Sequence, residues 1–455
     1  MKKLLIIIFS ILLIVLIILL IVNNKTIKSN SKTTTKTSQV TYNSDDYDYD
    51  FSNYETIDVD LDSVGGKYEI TKKAIYHFTG TLKGYIKVNT EDVVKIVFDG
   101  VDIENDNGSC LYVESAKSTY VELVGNNKLT DGSSYSSFDE EVDATIYSKD
   151  DLIILGDGKV EINANYSDAI ASKDDLVIKS GTYKITSKDD GIRGKDNVII
   201  LDGIFNIESG GDGIKTTNDK DSNKGNILIK SGKFTINSSG DGIDSINSIE
   251  IDNGEFNIAS GSSTKSDVST KGIKASGNIV INDITLNANT VDDGIHSDKD
   301  IIINKGSITI KTSDDGIHAD GKVEITGGKY DITGVEGIEG TYIKITDGDI
   351  KISASDDGIN AGNKSNDYDV TIEITGGNIN IEMGQGDTDA IDSNGNLYIT
   401  GGTINITGDS PFDYDGESKY TGGTIIVNGE TTNEITNQMM GGGMPQGMQG
   451  GMRRR

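Results

Sequence analysis

Beyond residue 22 the apolar positions of this chain alternate with polar ones, and no window places them at a helical spacing. Short runs such as Leu176-Val177-Ile178 and Thr182-Tyr183-Lys184-Ile185-Thr186 are separated by Gly, Ser and Asp. Alternation between such turn formers predicts strands. A longer beat overlies it, made of an acidic residue, Gly or Ala, then Ile. It runs through Asp168-Ala169-Ile170, Asp190-Gly191-Ile192, Asp212-Gly213-Ile214 and Asp241-Gly242-Ile243. It continues through Asp293-Gly294-Ile295, Asp315-Gly316-Ile317, Glu336-Gly337-Ile338, Asp357-Gly358-Ile359 and Asp389-Ala390-Ile391, with Lys271-Gly272-Ile273 as an altered copy. Successive isoleucines lie 22, 22, 29, 30, 22, 22, 21, 21 and 32 residues apart. Three short strands in every ~22 residues make one coil of a solenoid. The predicted fold is all-β, a single-stranded right-handed parallel β-helix of about 12 coils stacked at the strand spacing of about 4.8 Å.

A second register supports this reading. Tyr183 with Ile185, Phe205 with Ile207, Phe234 with Ile236 and Phe256 with Ile258 share one strand face, as do Ile308 with Ile310, Tyr330 with Ile332, Ile350 with Ile352 and Ile404 with Ile406. They are expected to form internal stacks rather than sugar platforms. Before the body, Leu4 to Val22 is an apolar run of 19 residues. As a helix it would span roughly 28 Å, close to one bilayer core. No A-x-A-like cleavage site or lipobox cysteine follows it. The run is read as an uncleaved N-terminal transmembrane anchor in a single-pass cell-membrane protein with an extracellular body. Residues 23–56, Ser/Thr/Lys-rich and then Asp/Tyr-rich, read as a flexible stalk. Residues 57–437 are the β-helix, and 438–455 a disordered Gly/Met-rich tail.

Composition narrows the function. With 72 acidic residues against 42 Lys and Arg, the formal charge is −30. Such a chain repels nucleic acid and gathers cations. Cys110 is the only cysteine, so no internal disulfide exists. One acid per coil at a fixed position implies a row of carboxylates about 5 Å apart. Charges that close repel, and a divalent ion between them removes the penalty. Ca²⁺ accepts irregular sets of oxygens. The expected ligands are Asp189, Asp190, Asp212, Asp241, Asp292, Asp293, Asp314, Asp315, Asp356 and Asp357, with Glu336 beside Asp357 as a weaker candidate. In each doubled acid the second Asp would ligate while the first caps the turn. Lys271 would interrupt the row with a built-in cation. The alternative is that these Asp residues only make turns before a Gly that needs φ > 0. Zinc is disfavoured, because the histidines are only His77, His296 and His318. Insertions at Thr216–Lys224, Gly261–Thr270 and Gly362–Asp369 are expected at one corner beside the row.

Several stretches carry a resemblance. They include Asp99-Gly100-Val101-Asp102-Ile103, Leu129-Thr130-Asp131-Gly132, Ile146-Tyr147-Ser148-Lys149-Asp150-Asp151-Leu152, Ser172-Lys173-Asp174-Asp175-Leu176 and Asp189-Asp190-Gly191-Ile192-Arg193-Gly194-Lys195-Asp196. With the Gly/Met-rich tail, they resemble the carbohydrate-binding domain-containing proteins of low-GC Gram-positive bacteria, whose fold is similar to pectate-lyase β-helices. That resemblance implies calcium-dependent binding of plant-type polysaccharides, cellulose- or polygalacturonate-like, without catalysis. The reading is therefore a monomeric cell-surface binder of plant-type or cell-wall glycans. A lyase would need a cationic base near calcium, and Arg193 and Lys215 are the candidates. Yet their column also holds Lys274, His296, His318, Asp244, Glu339, Asn360 and Asp392, a variety unlike a catalytic constellation. A structural adhesin or spacer is the remaining alternative. Tyr166, Tyr368 and Tyr414, in loop-like segments, are the expected glycan contacts.

Overall fold

The computed structural model describes residues 43, 47–136, 138–261, 269–384 and 388–437. The body is a parallel β-solenoid of the right-handed type with about 16 turns. One coil shows the plan: Asp175–Ile178, Thr182–Ser187 and Ile192–Gly194 form its three sides. Each pairs in parallel, in register, with the equivalent strand 22 residues on: Asp175 with Asn197, Thr182 with Ile204, and Ile192 with Ile214. The count exceeds the expected 12 because the first coils lack the Asp-Gly-Ile beat. Thr56–Asp60, Ile75–Lys83, Val93–Asn105 and Ser118–Val124 stack in parallel without it.

The core consists of columns. Ile170, Ile192, Ile214, Ile243, Ile273, Ile295 and Ile317 are wholly buried and pair in order from coil to coil. Each contributes about 1.5–3 kcal/mol by leaving water. Tyr183, Phe205, Phe234 and Phe256 also lie inside, with ring centroids 4.8, 4.8 and 4.6 Å apart and planes within 4°. The aromatic register is core, as its alternation required. At the C-terminal end Thr424–Val427 turns back antiparallel onto Glu430–Thr432, which covers the last coil's edge.

The glycine of the beat has a different reason from the one expected. Gly191, Gly213 and Gly242 are not among the positive-φ glycines. A Cβ on Gly213 would lie 2.5 Å from the Gly242 carbonyl oxygen and 2.5 Å from Ile236 Cγ2. Coils approach too closely there for a side chain. Positive φ belongs instead to glycines such as Gly203, two residues before Phe205.

The expected Leu4–Val22 span and the 438–455 tail lie outside the described residues. No helix among the described residues is long and apolar enough to cross a membrane. The last residues of the expected stalk, from Tyr47, pack on the solenoid's outer wall. Phe51 lies 5.1 Å from the Tyr120 ring, and the Tyr47 hydroxyl donates to Asp175 at 2.7 Å.

Candidate functional site

The shortest side of the solenoid is built from three-residue strands such as Ile214–Thr216, Ile243–Ser245 and Ile295–Ser297. Each begins with the buried Ile, so its second residue faces outward. The acidic residue two places before the Ile enters from the corner. Two columns therefore run side by side, one of carboxylates and one of mixed charge. Register aligns Arg193, Lys215, Asp244, Lys274, His296, His318, Glu339, Asn360 and Asp392 in the second column.

The carboxylates form a ladder. Oδ1 of Asp168 accepts from the Asp190 N–H at 3.0 Å, Asp190 from Asp212 at 2.9 Å, Asp212 from Asp241 at 2.7 Å, and Asp241 from Lys271 at 2.6 Å. Each acid thus satisfies a backbone donor of the next coil, which would otherwise be buried unpaired. Capping falls to the second Asp of each doubled acid, the reverse of the expected division. Asp189, Asp314 and Asp356 are exposed, whereas Asp190, Asp293 and Asp315 are buried. Lys271 has no oxygen to offer Asp293, and Asp292 Oδ1 takes that N–H at 2.9 Å instead. One doubled acid is therefore explained by the substitution of its neighbour.

The other oxygens meet the mixed column. Arg193 bridges Asp168 and Asp143, the latter at 2.6 Å. Lys215 reaches Asp212 at 2.5 Å and Asp190 at 3.8 Å, and Lys274 reaches Asp241 at 3.2 Å. Lys271 binds Asp292 at 2.6 Å and Asp293 at 3.1 Å, as a built-in cation should. The run Asp190–Asp212–Asp241 is thus already furnished with positive charge.

The balance is uneven. Burial, reinforced by the Asp168 charge, raises Asp190 to about 7 despite Lys215. Burial raises Asp168 to about 6 even against Arg193. Burial would also raise Asp293, but His296, Lys271 and His318 outweigh it and hold the carboxyl at about 2. Towards the C-terminal end Asp392 is pushed to about 7 by burial and then by the charges of Asp357, Asp413 and Asp389. Burial opposes the charge on Arg193 and Lys215, yet the neighbouring aspartates keep both above their ordinary values. Two groups held protonated this firmly are poor proton abstractors.

Two sets of three carboxylates bring oxygens within 4.8 Å of one another: Asp168, Asp189 and Asp190, and Asp292, Asp293 and Asp314. The second holds Lys271. The first does not contain a lysine, and its buried members are those raised by burial and mutual repulsion. Asp168 was not singled out from the sequence as a ligand, although its coil carries the beat.

The three expected tyrosines separate. Tyr166 is 42% exposed and stacks on Tyr135 at 4.3 Å and 19°, two residues before Asp168. Tyr368 donates to Asp300 at 2.7 Å and lies over Tyr342. Tyr414 packs against the core and is no platform. The insertions do not share a corner. Thr216–Lys224 and Gly362–Asp369 follow the short strand, whereas Gly261–Thr270, of which 262–268 lie outside the described residues, precedes it. They flank the short side at both edges.

Comparison with known proteins places this geometry. Residues 64–316 and 314–437 match a family described as carbohydrate-binding domain-containing protein. A carbohydrate-binding domain-containing protein of Acetivibrio thermocellus is 33% identical over 141 residues, 28% of this chain and 49% of the relative. The chain therefore spans about half the length of the curated relative it matches. A solved structure of a polysaccharide lyase-like protein from C. thermocellum, a gadolinium derivative, is 33% identical over 44% of this chain and 88% of that chain, with a TM-score of 0.42.

Proposed function

The chain belongs to the carbohydrate-binding domain-containing protein family, and from that premise we propose that it binds a polysaccharide at the Tyr166 end of the short side without cleaving it. The observation that carries this reading is the exposed Tyr166–Tyr135 stack beside Asp168, Asp189 and Asp190. A flat aromatic face with a few convergent polar groups suits a sugar ring. The three carboxylates offer only oxygen, which fits Ca²⁺, and they would hold it. Calcium there would bridge the −30 chain to an acidic glycan of polygalacturonate type. A neutral cellulose-like chain would rest on the tyrosines alone. The raised Arg193 and Lys215 support binding over lyase chemistry. On the same reading the Leu4–Val22 run tethers single copies to the cell membrane with the body outside.

The test is retention on polygalacturonate and on cellulose, with calcium and with EGTA. Tyr166→Ala is expected to weaken retention at least tenfold with the circular dichroism unchanged. EGTA and Asp189→Asn are expected to abolish the polygalacturonate signal only. Equal retention by wild type and Tyr166→Ala would remove the platform. Accumulation of unsaturated, ultraviolet-absorbing sugar ends would establish the lyase reading instead.

A further inference from the structure

Two successive coils carry the same short pattern, His296-Ser297-Asp298 and His318-Ala319-Asp320. Register places His296 against His318, with ring centroids 4.7 Å apart at 65°. On one side of the first ring, His296 Nε2 lies 3.0 Å from Asp298 Oδ1. His318 Nε2 is buried without a hydrogen-bond partner, its nearest carboxylate oxygen being Asp320 Oδ1 at 3.6 Å. The opposite nitrogens converge. His296 Nδ1 is 2.8 Å and His318 Nδ1 is 3.7 Å from one atom, Asp293 Oδ2. His318 Nδ1 also faces Asp315 Oδ2 at 3.3 Å and Glu339 Oε2 at 3.1 Å.

A carboxylate at Nε2 fixes the proton there and leaves the Nδ1 lone pair to face inward. Two inward lone pairs and a carboxylate oxygen repel unless positive charge lies among them. Elsewhere in the column Arg or Lys brings that charge on the side chain. Here the coils present imidazole. We propose that Asp293, His296 and His318 form a binding site for a divalent transition-metal ion of the zinc class, with Asp298 and Asp320 orienting the rings. The three ligand atoms lie within 4.8 Å of one another. Bonds of about 2.0–2.2 Å to a central ion require only a modest contraction. Mixed imidazole and carboxylate donors select zinc-like ions, whereas calcium takes oxygen alone. Lys271, 3.1 Å from Asp293 Oδ2, opposes the ion's charge, but its shorter contact is to Asp292 at 2.6 Å. The site is separate from the carboxylates at Tyr166 and does not depend on the glycan.

The experiment titrates the chelator-treated full-length chain with Co²⁺, read by its visible absorption, and then displaces it with Zn²⁺. One equivalent is expected, with intense tetrahedral-type bands that zinc removes and a large excess of calcium leaves in place. The double variant His296→Gln/His318→Gln is expected to lose the bands, with the circular dichroism checked for native fold. His77→Gln, between Asp58 and Asp99 on a remote coil, is expected to keep them. Asp298→Asn is expected to weaken the affinity tenfold or more, as orienting carboxylates do. Absence of the bands in wild type, their persistence in the folded double variant, or their removal by calcium would each overturn the assignment.

Discussion

A carboxylate on this scaffold divides its two oxygens between two tasks. One accepts a backbone N–H of the next coil, and the other meets a side chain of the neighbouring column. Where a cation is present, as at Asp212 with Lys215, the group is satisfied twice. Asp392 lacks this provision. It aligns between Asn360 and Asp413, and its pKa is about 7, raised by burial and then by Asp357. The folded chain therefore holds this proton more tightly than the unfolded chain, whose Asp titrates near 3.9. The stabilising contribution is complete below about pH 4 and is lost as pH rises through about 7. Asp392→Asn should leave the melting temperature unchanged near pH 4 and raise it above pH 7, by an amount worth on the order of 1 kcal/mol. Melting curves from pH 4 to 8 in EGTA check this. A variant that melts lower than wild type at pH 8 would show that the charge is already compensated.

At the scale of the element, the strand is too short to specify itself. Ile214–Thr216 has three residues and holds its place because Ile214 is clamped between Ile192 and Ile243. The glycine before it is a matter of space between coils, not of turn geometry. Gly213→Ala should therefore destabilise as overpacking does, by about 1–3 kcal/mol, although its φ suits alanine. Denaturant midpoints of Gly213→Ala and of Asn223→Ala, in the exposed insertion, make the comparison. An equal midpoint would mean that the coils separate easily. The strands and their order were legible from the alternation and the 22-residue beat. The first coils were not counted, because Val94, Ile96 and Phe98 fill the same interior without the acidic marker.

At the scale of the whole molecule, each coil buries its apolar face only against its neighbours, and stability accumulates along the stack. The body needs nothing from the first 22 residues to close its core. A chain beginning at Asn23 should therefore appear in the soluble fraction with the β-type circular dichroism of the full protein. Retention of that truncated chain in the membrane fraction would refute a single tether. Its −30 charge should also keep it dispersed at low salt.

What the sequence by itself determined is the repeating architecture. Burial pattern and period are properties of successive residues, and a 22-residue beat of isoleucine can bury every copy only by stacking. It also located the acidic row and the column beside it, because register follows from the period. The partners of those charges came only from the tertiary structure. Arg193 answers to Asp168 and Asp143, 25 and 50 residues earlier, and Asp292 substitutes for a missing oxygen at Lys271. Exposure was likewise undetermined by sequence: Tyr166 and Tyr414 both sit in loop-like segments, yet one is a platform and the other packs on the core. His296 and His318 looked too few for a metal until register set them face to face around Asp293. Stacking fixes neighbours to about 5 Å, whereas ion pairs, lone pairs and ligands are decided within about 1 Å, by side-chain rotamers and by the coils above and below.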